Sequence, residues 1–498
     1  MSENNAENLR SPLVRGEGFG DGLSDGLGDG LMETHVLPNV TLAMLSPDYW
    51  VSDARCTKDE SANRPVFQQH IREHATSMTT LVDVWQSLGQ ASEGNGTETA
   101  ISPASDIEYR LGVRAQVPPV PPLPNGDEVL YNADGQPFTD GFWDALKAKI
   151  ENAHPVDEAT GLTRADSFIP VQPGFSVTRA NVRRFPLAKP GFRLATDREF
   201  DRFQDTALHT FEPVLIALQT VDKRWYYVIS ETYDGWVSAD DIARATTAEF
   251  VKWSAITKHS EGPGFLVPLA SNVYTQVAPY DEAVSGKRLE FGAYLPLCED
   301  QHGMGNQSIA GNFSIYLPVR NSDGWLEVKQ ALVPRLASFS VGFRAYTRRA
   351  VVESAFALLG ERYGWGDRCG NHDCSSLIMD SYRTLGIQLP RDAHHQEEAL
   401  PNLLPIPKEA SFAERTELLK SLSPGDPLYM PGHTMMYLGY RAGHHYVIHD
   451  FAGYSEPDGE SLRSVPVNEV MVSTLDIQLT SGKTYLEALT SAASLFAD

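Results

Sequence analysis

Two blocks of short β-type runs, each broken by a tight turn and carrying a Gly-Trp-aliphatic triplet, restrict the middle of this chain to small antiparallel sheets. The first block reads PVLIALQT (213–220), the turn VDKR, WYYVIS (225–230) and ETYDGWV; the second reads IYLPV (315–319), a turn at Asn321–Gly324, and WLEVK. β-Branched and aromatic runs this short, bounded by Asp, Asn and Gly, suit closely connected strands. The triplets Gly235-Trp236-Val237 and Gly324-Trp325-Leu326 occur one in each block. Two small β barrels are therefore expected, over 161–262 and 263–342, with Trp236 and Trp325 as core residues.

The periodicity changes on either side. Thr139 or Asp140 suits the cap of a helix carrying Phe142, Trp143, Leu146 and Ile150 on one face, and a second helical pattern runs from Met78 to Leu88. Between them VPPVPPLPNG (117–126) reads as a stiff connector. Residues 36–160 are thus expected to form a helical accessory domain. Ahead of them, 1–35 repeats Asp-Gly-Leu every four residues at Asp21, Asp25 and Asp29, the pattern of a disordered acidic Gly-rich leader. A calcium-binding glycine repeat has a period of roughly nine instead. Toward the C-terminus, Val351, Val352, Ala355, Phe356, Leu358 and Leu359 recur at helical spacing, and a second helix is indicated from Cys374 to Leu385, stopped by Gly386. The strands HTMMYLGYR and HYVIHDF follow, joined by a turn near Ala442-Gly443. This is an α+β domain over 343–480, followed by a tail at 481–498.

With 498 residues, 42% hydrophobic and 21% charged, the chain has room for about three domains and the composition of an ordinary globular protein. Its 41 Lys and Arg against 65 Asp and Glu give a net charge of -24, a field that repels phosphate backbones and anionic lipid surfaces, so no nucleic-acid partner is expected. No window approaches the roughly 18 uninterrupted apolar residues of a membrane span. The first thirty residues carry no apolar h-region, which makes cytoplasm the default expectation and leaves the periplasm or secretion open for a trimmed precursor. Four cysteines, Cys56, Cys298, Cys369 and Cys374, are too few for a disulfide framework in so long a chain.

Of these, Cys374 has the most suggestive context. In NHDCSSLIMDSYRTLG, Leu377, Ile378, Tyr382 and Leu385 share one helical face and Asp373 precedes the helix, so the sulfur falls in the first turn. Unpaired N–H groups and the macrodipole favour a thiolate there, with pKa values of about 3.5 to 7.5 in place of about 8.5. His433 begins the strand after Pro431-Gly432, and His449, sixteen residues on, ends the returning strand. In an antiparallel hairpin the two can be neighbours, His449 holding the second ring nitrogen of His433. Two other readings of the cysteine stay open: an inert buried thiol, and a disulfide to Cys369 that would silence the site. Zinc held by Cys369, His372 and Cys374 lacks a fourth ligand and the usual Cys-x-x-Cys spacing, so neither a metal nor an organic cofactor is expected.

The segment YGWGDRCGNHDCSSLIMDSYRTLGIQLPRDAHHQ, followed by LSPGDPLYMPGHTMMYLG and YVIHD, resembles the NlpC family of papain-like bacterial cell-wall cysteine peptidases. Tyr-x-Trp-Gly, Asp-Cys-Ser, Leu-Pro-Arg-Asp-x-x-x-Gln, Gly-Asp and His stand in the family's order over about 130 residues. RANVRRFP (179–186) and the Tyr-x-Gly-Trp-Val of Tyr233–Val237 resemble the first SH3 domain of a subgroup with two bacterial SH3 domains and a helical stabilising domain. The resemblance implies an α+β multidomain protein: a helical N-terminal stabilising domain, two SH3-like β barrels and a C-terminal papain-like catalytic domain. It implies Cys374 as nucleophile, His433 as general base and acid, and His449 as its orienting partner, with the backbone N–H of Cys374 as an oxyanion donor. It also implies, as substrate, a peptidoglycan stem peptide with a free L-Ala-γ-D-Glu end, cut between the D-glutamyl residue and a diamino acid. Tyr233, Asp373, Ser375 and Asp392 would hold its amine, and a barrel walling off one end of the cleft would select small released muropeptides. The chain departs from the family pattern at Ser376, where glycine is common, at Ala393, where serine is frequent, and at Thr434-Met435, where Val-Gly is usual. Its longer hairpin leaves His444 and His445 open as third catalytic group. The competing expectation is a catalytically idle, SH3-containing protein that binds cell wall or protein partners.

Overall fold

The computed structural model describes residues 36–75, 129–156, 171–256, 264–459 and 461–496. The acidic leader, the Met78–Leu88 pattern and the proline run lie outside the described residues.

The first block forms a seven-stranded antiparallel sheet from β1 (Gln172–Ser176), β2 (Ala180–Arg183), β3 (Gln204–Leu208), β4 (Pro213–Gln219), β5 (Trp225–Ile229), β6 (Asp234–Ser238) and β7 (Ile242–Arg244), in the order β3-β2-β6-β5-β4-β1-β7. Its core holds Phe175, Phe185, Phe203 and Trp236. The helix Asp140–Glu151, capped by Thr139, packs Leu146 and Ile150 into the same core. The second block pairs Asn312–Arg320 with Leu326–Pro334 beside a three-stranded sheet, enclosing Leu266, Leu295, Ile315, Ala331 and Val333. Trp325 departs from the core role expected of it. It is half-buried under the Arg244 guanidinium, 4.7 Å from the ring centre, because Arg244 N–H bonds the Gly324 carbonyl at 2.9 Å and draws this turn against the first sheet.

The C-terminal region is a six-stranded sheet centred on Pro427–Met430, His433–Arg441 and His444–Asp458. The helices Arg348–Phe356 and Cys374–Arg383 join one core with it, through Val351, Leu377, Ile378, Tyr382, Met436 and Ile448. Each such side chain contributes about 1.5–3 kcal/mol relative to exposure, which holds the start of the second helix in a fixed place. The two described pieces of the 36–160 stretch have different partners. Residues 36–75 share the core of the C-terminal region, with the Trp50 and Tyr446 rings 5.1 Å apart, whereas 129–156 covers the first sheet. No helix among the described residues is long and apolar enough to cross a membrane.

Candidate active site

Asp373 is the N-cap of the helix that begins at Cys374. Its carboxylate accepts the Ser376 N–H at 3.1 Å, and the Ser376 hydroxyl accepts the Asp373 N–H at 2.9 Å, a reciprocal capping box. The serine found where family members commonly carry glycine thus closes the helix start. Cys374, at 9% exposure, lines a cavity of about 870 Å³ between the C-terminal region and the first sheet. The backbone N–H of Thr434, next to His433, donates to its sulfur. As the first helical residue, Cys374 has an N–H with no intrahelical acceptor. The expected thiolate is not the resting form. Burial, and next the Asp373 charge, push the thiol up to about 12, outweighing the helix-start effect.

The Pro431-Gly432 turn, with Gly432 at φ +76°, starts the strand at His433. Ala442 and Gly443, both at positive φ, make the return turn that suits the twist of a two-residue hairpin. The register Met436↔Ile448, continued by one pair, sets Met435 opposite His449 and leaves His433 diagonal to it on the same face. There His433 Nε2 and His449 Nδ1 are 2.8 Å apart, and His449 Nε2 lies 2.8 Å from the Ser473 hydroxyl on the neighbouring strand. Phe451 stacks on His449 at 3.8 Å. Burial pushes His433 down to about 4, with Asp373 opposing, and holds His449 well below the usual range, helped by His433. Both imidazoles rest neutral. His444 bonds Asp476, and His445 lies 2.8 Å from the Tyr437 hydroxyl and 3.0 Å from the Thr416 carbonyl, so these two are engaged at the far end of the hairpin. Asp450, beside His449, has both carboxyl oxygens buried without a hydrogen-bond partner. Burial, and then the Asp373 charge, raise its carboxyl well above the ordinary range.

The residues expected to hold an amine differ in availability. Arg391 takes both oxygens of Asp373, at 3.1 and 2.8 Å, and also donates to the Ser375 hydroxyl at 2.8 Å. Burial opposes the Asp373 charge, but Arg391 holds that carboxyl below its usual range. Asp392 caps the helix Ala393–Ala399, accepting the His395 N–H at 3.1 Å, and lines the cavity with its side chain 42% exposed. Tyr233 lies half-buried at the turn before β6, outside the cavity lining. Burial and Asp205 push its hydroxyl up while Arg184 and Arg391 oppose, so it stands in the electrostatic field of this group. In the sequence Arg391 carries no signal beyond its place in Leu-Pro-Arg-Asp-x-x-x-Gln. Its real partners, Asp373 and Asp367, stand on segments that only the fold brings together.

The first sheet supplies the opposite wall with Arg184, Phe185, Arg202, Phe203 and Asp205. It is fastened there by polar contacts: the Gln204 amide donates to the Gly366 carbonyl at 2.9 Å, and the Thr206 hydroxyl to Asp367 at 2.9 Å. Arg202 stacks over Trp365 at 4.2 Å. Cys369, His372 and Cys374 have separate surroundings. All four cysteines are free; Cys369 is exposed and lines a different cavity, and the His372 nitrogens meet Glu361 at 2.6 Å and Asp380 at 3.2 Å.

Residues 360–475 match the model of the NlpC/P60 family, and 189–238 match an SH3 domain of the SH3b1 type. A novel NlpC/P60 endopeptidase from Photobacterium damselae subsp. piscicida has a similar structure, with a TM-score of 0.58 at 16% identity, covering 84% of this chain and 91% of that one. That likeness supports a common fold. An NlpC/P60 family protein from Bacillus cereus ATCC 10987 matches at 19% identity with a TM-score of 0.39, covering 59% of this chain and 83% of its own. No curated protein matches the chain.

Proposed function

We propose that this chain, which carries an NlpC/P60 domain and an SH3 domain, is a cysteine peptidase that cuts small peptidoglycan stem peptides at the γ-D-glutamyl to diamino acid bond. The observation that carries the reading is a cysteine at the start of a capped helix, opening on a cleft between the C-terminal region and the first sheet, with a paired imidazole beginning the strand whose next N–H touches its sulfur. His433 takes the thiol proton as the sulfur attacks the carbonyl carbon, and His449 with Ser473 fixes the ring's tautomer. The Cys374 N–H meets the developing oxyanion. His433 then returns the proton to the departing amine, leaving a thioester that water hydrolyses.

The free ammonium of the substrate goes to the half-exposed carboxylate of Asp392, beside the His395 ring that lies 2.5 Å from it, with Tyr233 shaping the approach. Asp373 and Ser375, both engaged by Arg391, act by orienting that corner. An acylated amine would offer the Asp392 carboxylate no charge to pair with, which selects against intact glycan-linked stems. The wall formed by the first sheet favours short peptides over polymeric wall. The reading includes the wider architecture of a helical N-terminal stabilising domain and a second SH3-like barrel over 263–342.

Hydrolysis of L-Ala-γ-D-Glu-diaminopimelate by the wild type and by Cys374→Ala, with the N-acetylated peptide as control, tests it. The wild type should turn over the free-amine peptide, and the variant should lose about 10⁴-fold or more in kcat/KM. A wild type without turnover would point to an idle binding protein, and turnover untouched by the substitution would remove the nucleophile.

A further inference from the structure

A second cavity, of about 540 Å³, lies where the first sheet, the 264–342 region and the C-terminal region meet. Four cations line it: Arg179 from the first sheet, and Lys287, Arg288 and Arg320 from the 264–342 region. In a chain of net charge -24 such a concentration is against the trend. Two carboxylates share the lining, and one of them, Glu290, is occupied by the Thr210 N–H at 3.2 Å and the Thr210 hydroxyl at 3.0 Å.

The arginines are held by neutral groups. Arg288 donates to the carbonyls of Ser271 at 2.8 Å and Gly370 at 3.0 Å, and Arg320 to that of Ile242 at 3.2 Å. Arg179 reaches the Asn371 carbonyl at 3.4 Å. Its one carboxylate within 4 Å, Asp367 at 3.9 Å, is already taken by Arg391 at 3.2 Å, and its buried Nε has no hydrogen-bond partner. Among the described residues, Lys287, Arg288 and Arg320 have no carboxylate within ion-pair distance. Elsewhere, buried arginines meet carboxylates directly, as Arg183 meets Asp201 and Arg348 meets Asp426, each at 2.7 Å. A carbonyl orients a guanidinium without cancelling its charge, so the junction keeps positioned forks whose charge is left for something else to neutralise.

We propose that this junction binds a small polyanion, a molecule bearing two or more carboxylate or phosphate groups. The spacing of four cations over two parts of the chain favours a ligand with several charges over a single monovalent ion. Cys369 supplies a reporter: it is exposed and lines this cavity, while the other three cysteines are buried.

The test uses the full chain with pyrophosphate and citrate as probes and potassium chloride at matched ionic strength as control. The rate of Cys369 alkylation is followed by peptide mass mapping, and Tm is recorded alongside. At least one probe should slow Cys369 labelling five-fold or more and raise Tm in the wild type, with saturation. Lys287→Gln and Arg320→Gln should each weaken that protection about ten-fold. Among the described residues Lys287 makes no ion pair, so its variant is the one expected to leave folding untouched. Protection by pyrophosphate alone assigns phosphate groups, by citrate alone carboxylates, and by both the shared anion chemistry. The proposal is overturned if potassium chloride protects equally, if neither probe protects, or if Lys287→Gln retains full protection.

Discussion

Two pairs of buried histidines in this molecule have their proton affinities moved in opposite directions. His433 and His449 face each other with only a hydroxyl behind them, and burial keeps both neutral. His372 and His209 instead share Asp380, at 3.2 and 3.1 Å, and each has a second carboxylate, Glu361 at 2.6 Å and Glu212 at 3.3 Å. Burial again opposes the charge and is the largest single influence, yet Glu361 and Asp380 together raise His372 to about 10, and Asp380 raises His209. Enclosure pushes every imidazole the same way; the partner at hydrogen-bond distance decides the outcome. The neutral pair suits a group that must accept a proton. The carboxylate-bound pair works as a fastener, since His209 belongs to the first block and Asp380 to the helix that begins at Cys374.

The largest expected consequence of this contrast is in stability. Asp380→Asn leaves two enclosed imidazoles without their shared counter-charge and should destabilise the fold by about 3–5 kcal/mol. His433→Gln removes a neutral ring and should cost less than about 1.5 kcal/mol. Urea unfolding of both variants checks the order, and equal losses would break the comparison.

The pH dependence should divide in the same way. For His372 the folded value lies above the unfolded 6.5, so its contribution is complete below pH 6.5 and is lost as pH rises through about 10. For His433 the folded value lies below 6.5, so its contribution is present above that pH and is lost as pH falls through about 4. Unfolding measured from pH 4 to 10 should show Asp380→Asn flattening the alkaline limb and His433→Gln the acid limb; exchanged effects would refute the assignment.

A spectroscopic consequence is smaller in amplitude. In a Cys369→Ser background, the absorbance of a thiolate near 240 nm should be missing at pH 7, since Cys374 is pushed up to about 12. A full thiolate signal at neutral pH would mean that His433 is protonated at rest, making the two histidine pairs alike.

The smallest expected effects concern the amine. Asp392→Asn should lower kcat/KM for the free-amine peptide about ten-fold, and Tyr233→Phe about three-fold, with the residual activity on blocked peptide unchanged. An unaltered preference for the free amine in both variants would dismiss the anchoring role.

Much of the local structure could be read from the residues themselves. The Thr139 cap, the helix start at Cys374, the strand His433–Arg441 and the turn at Ala442-Gly443 each follow from a few adjacent side chains. Capping, hydrophobic period and turn chemistry all act within about four residues. Trp325 escaped that reading, because its environment is set by Arg244 of another sheet. Ser473 escaped it as well, carrying no signal beyond a hydroxyl in a strand until that strand is paired with His444–Asp458.

By itself the sequence determined where the Cys374 helix begins and which hairpin carries His433 and His449, since those features arise from neighbours along the chain. Only the tertiary structure decided the charge on each group. Arg391 reaches Asp373 across 18 residues and His209 reaches Asp380 across 171, and such pairings exist only once the sheets have closed over the site. A titrating group responds to the dielectric and the counter-charges that folding brings to it, and neither is written in the residues beside it.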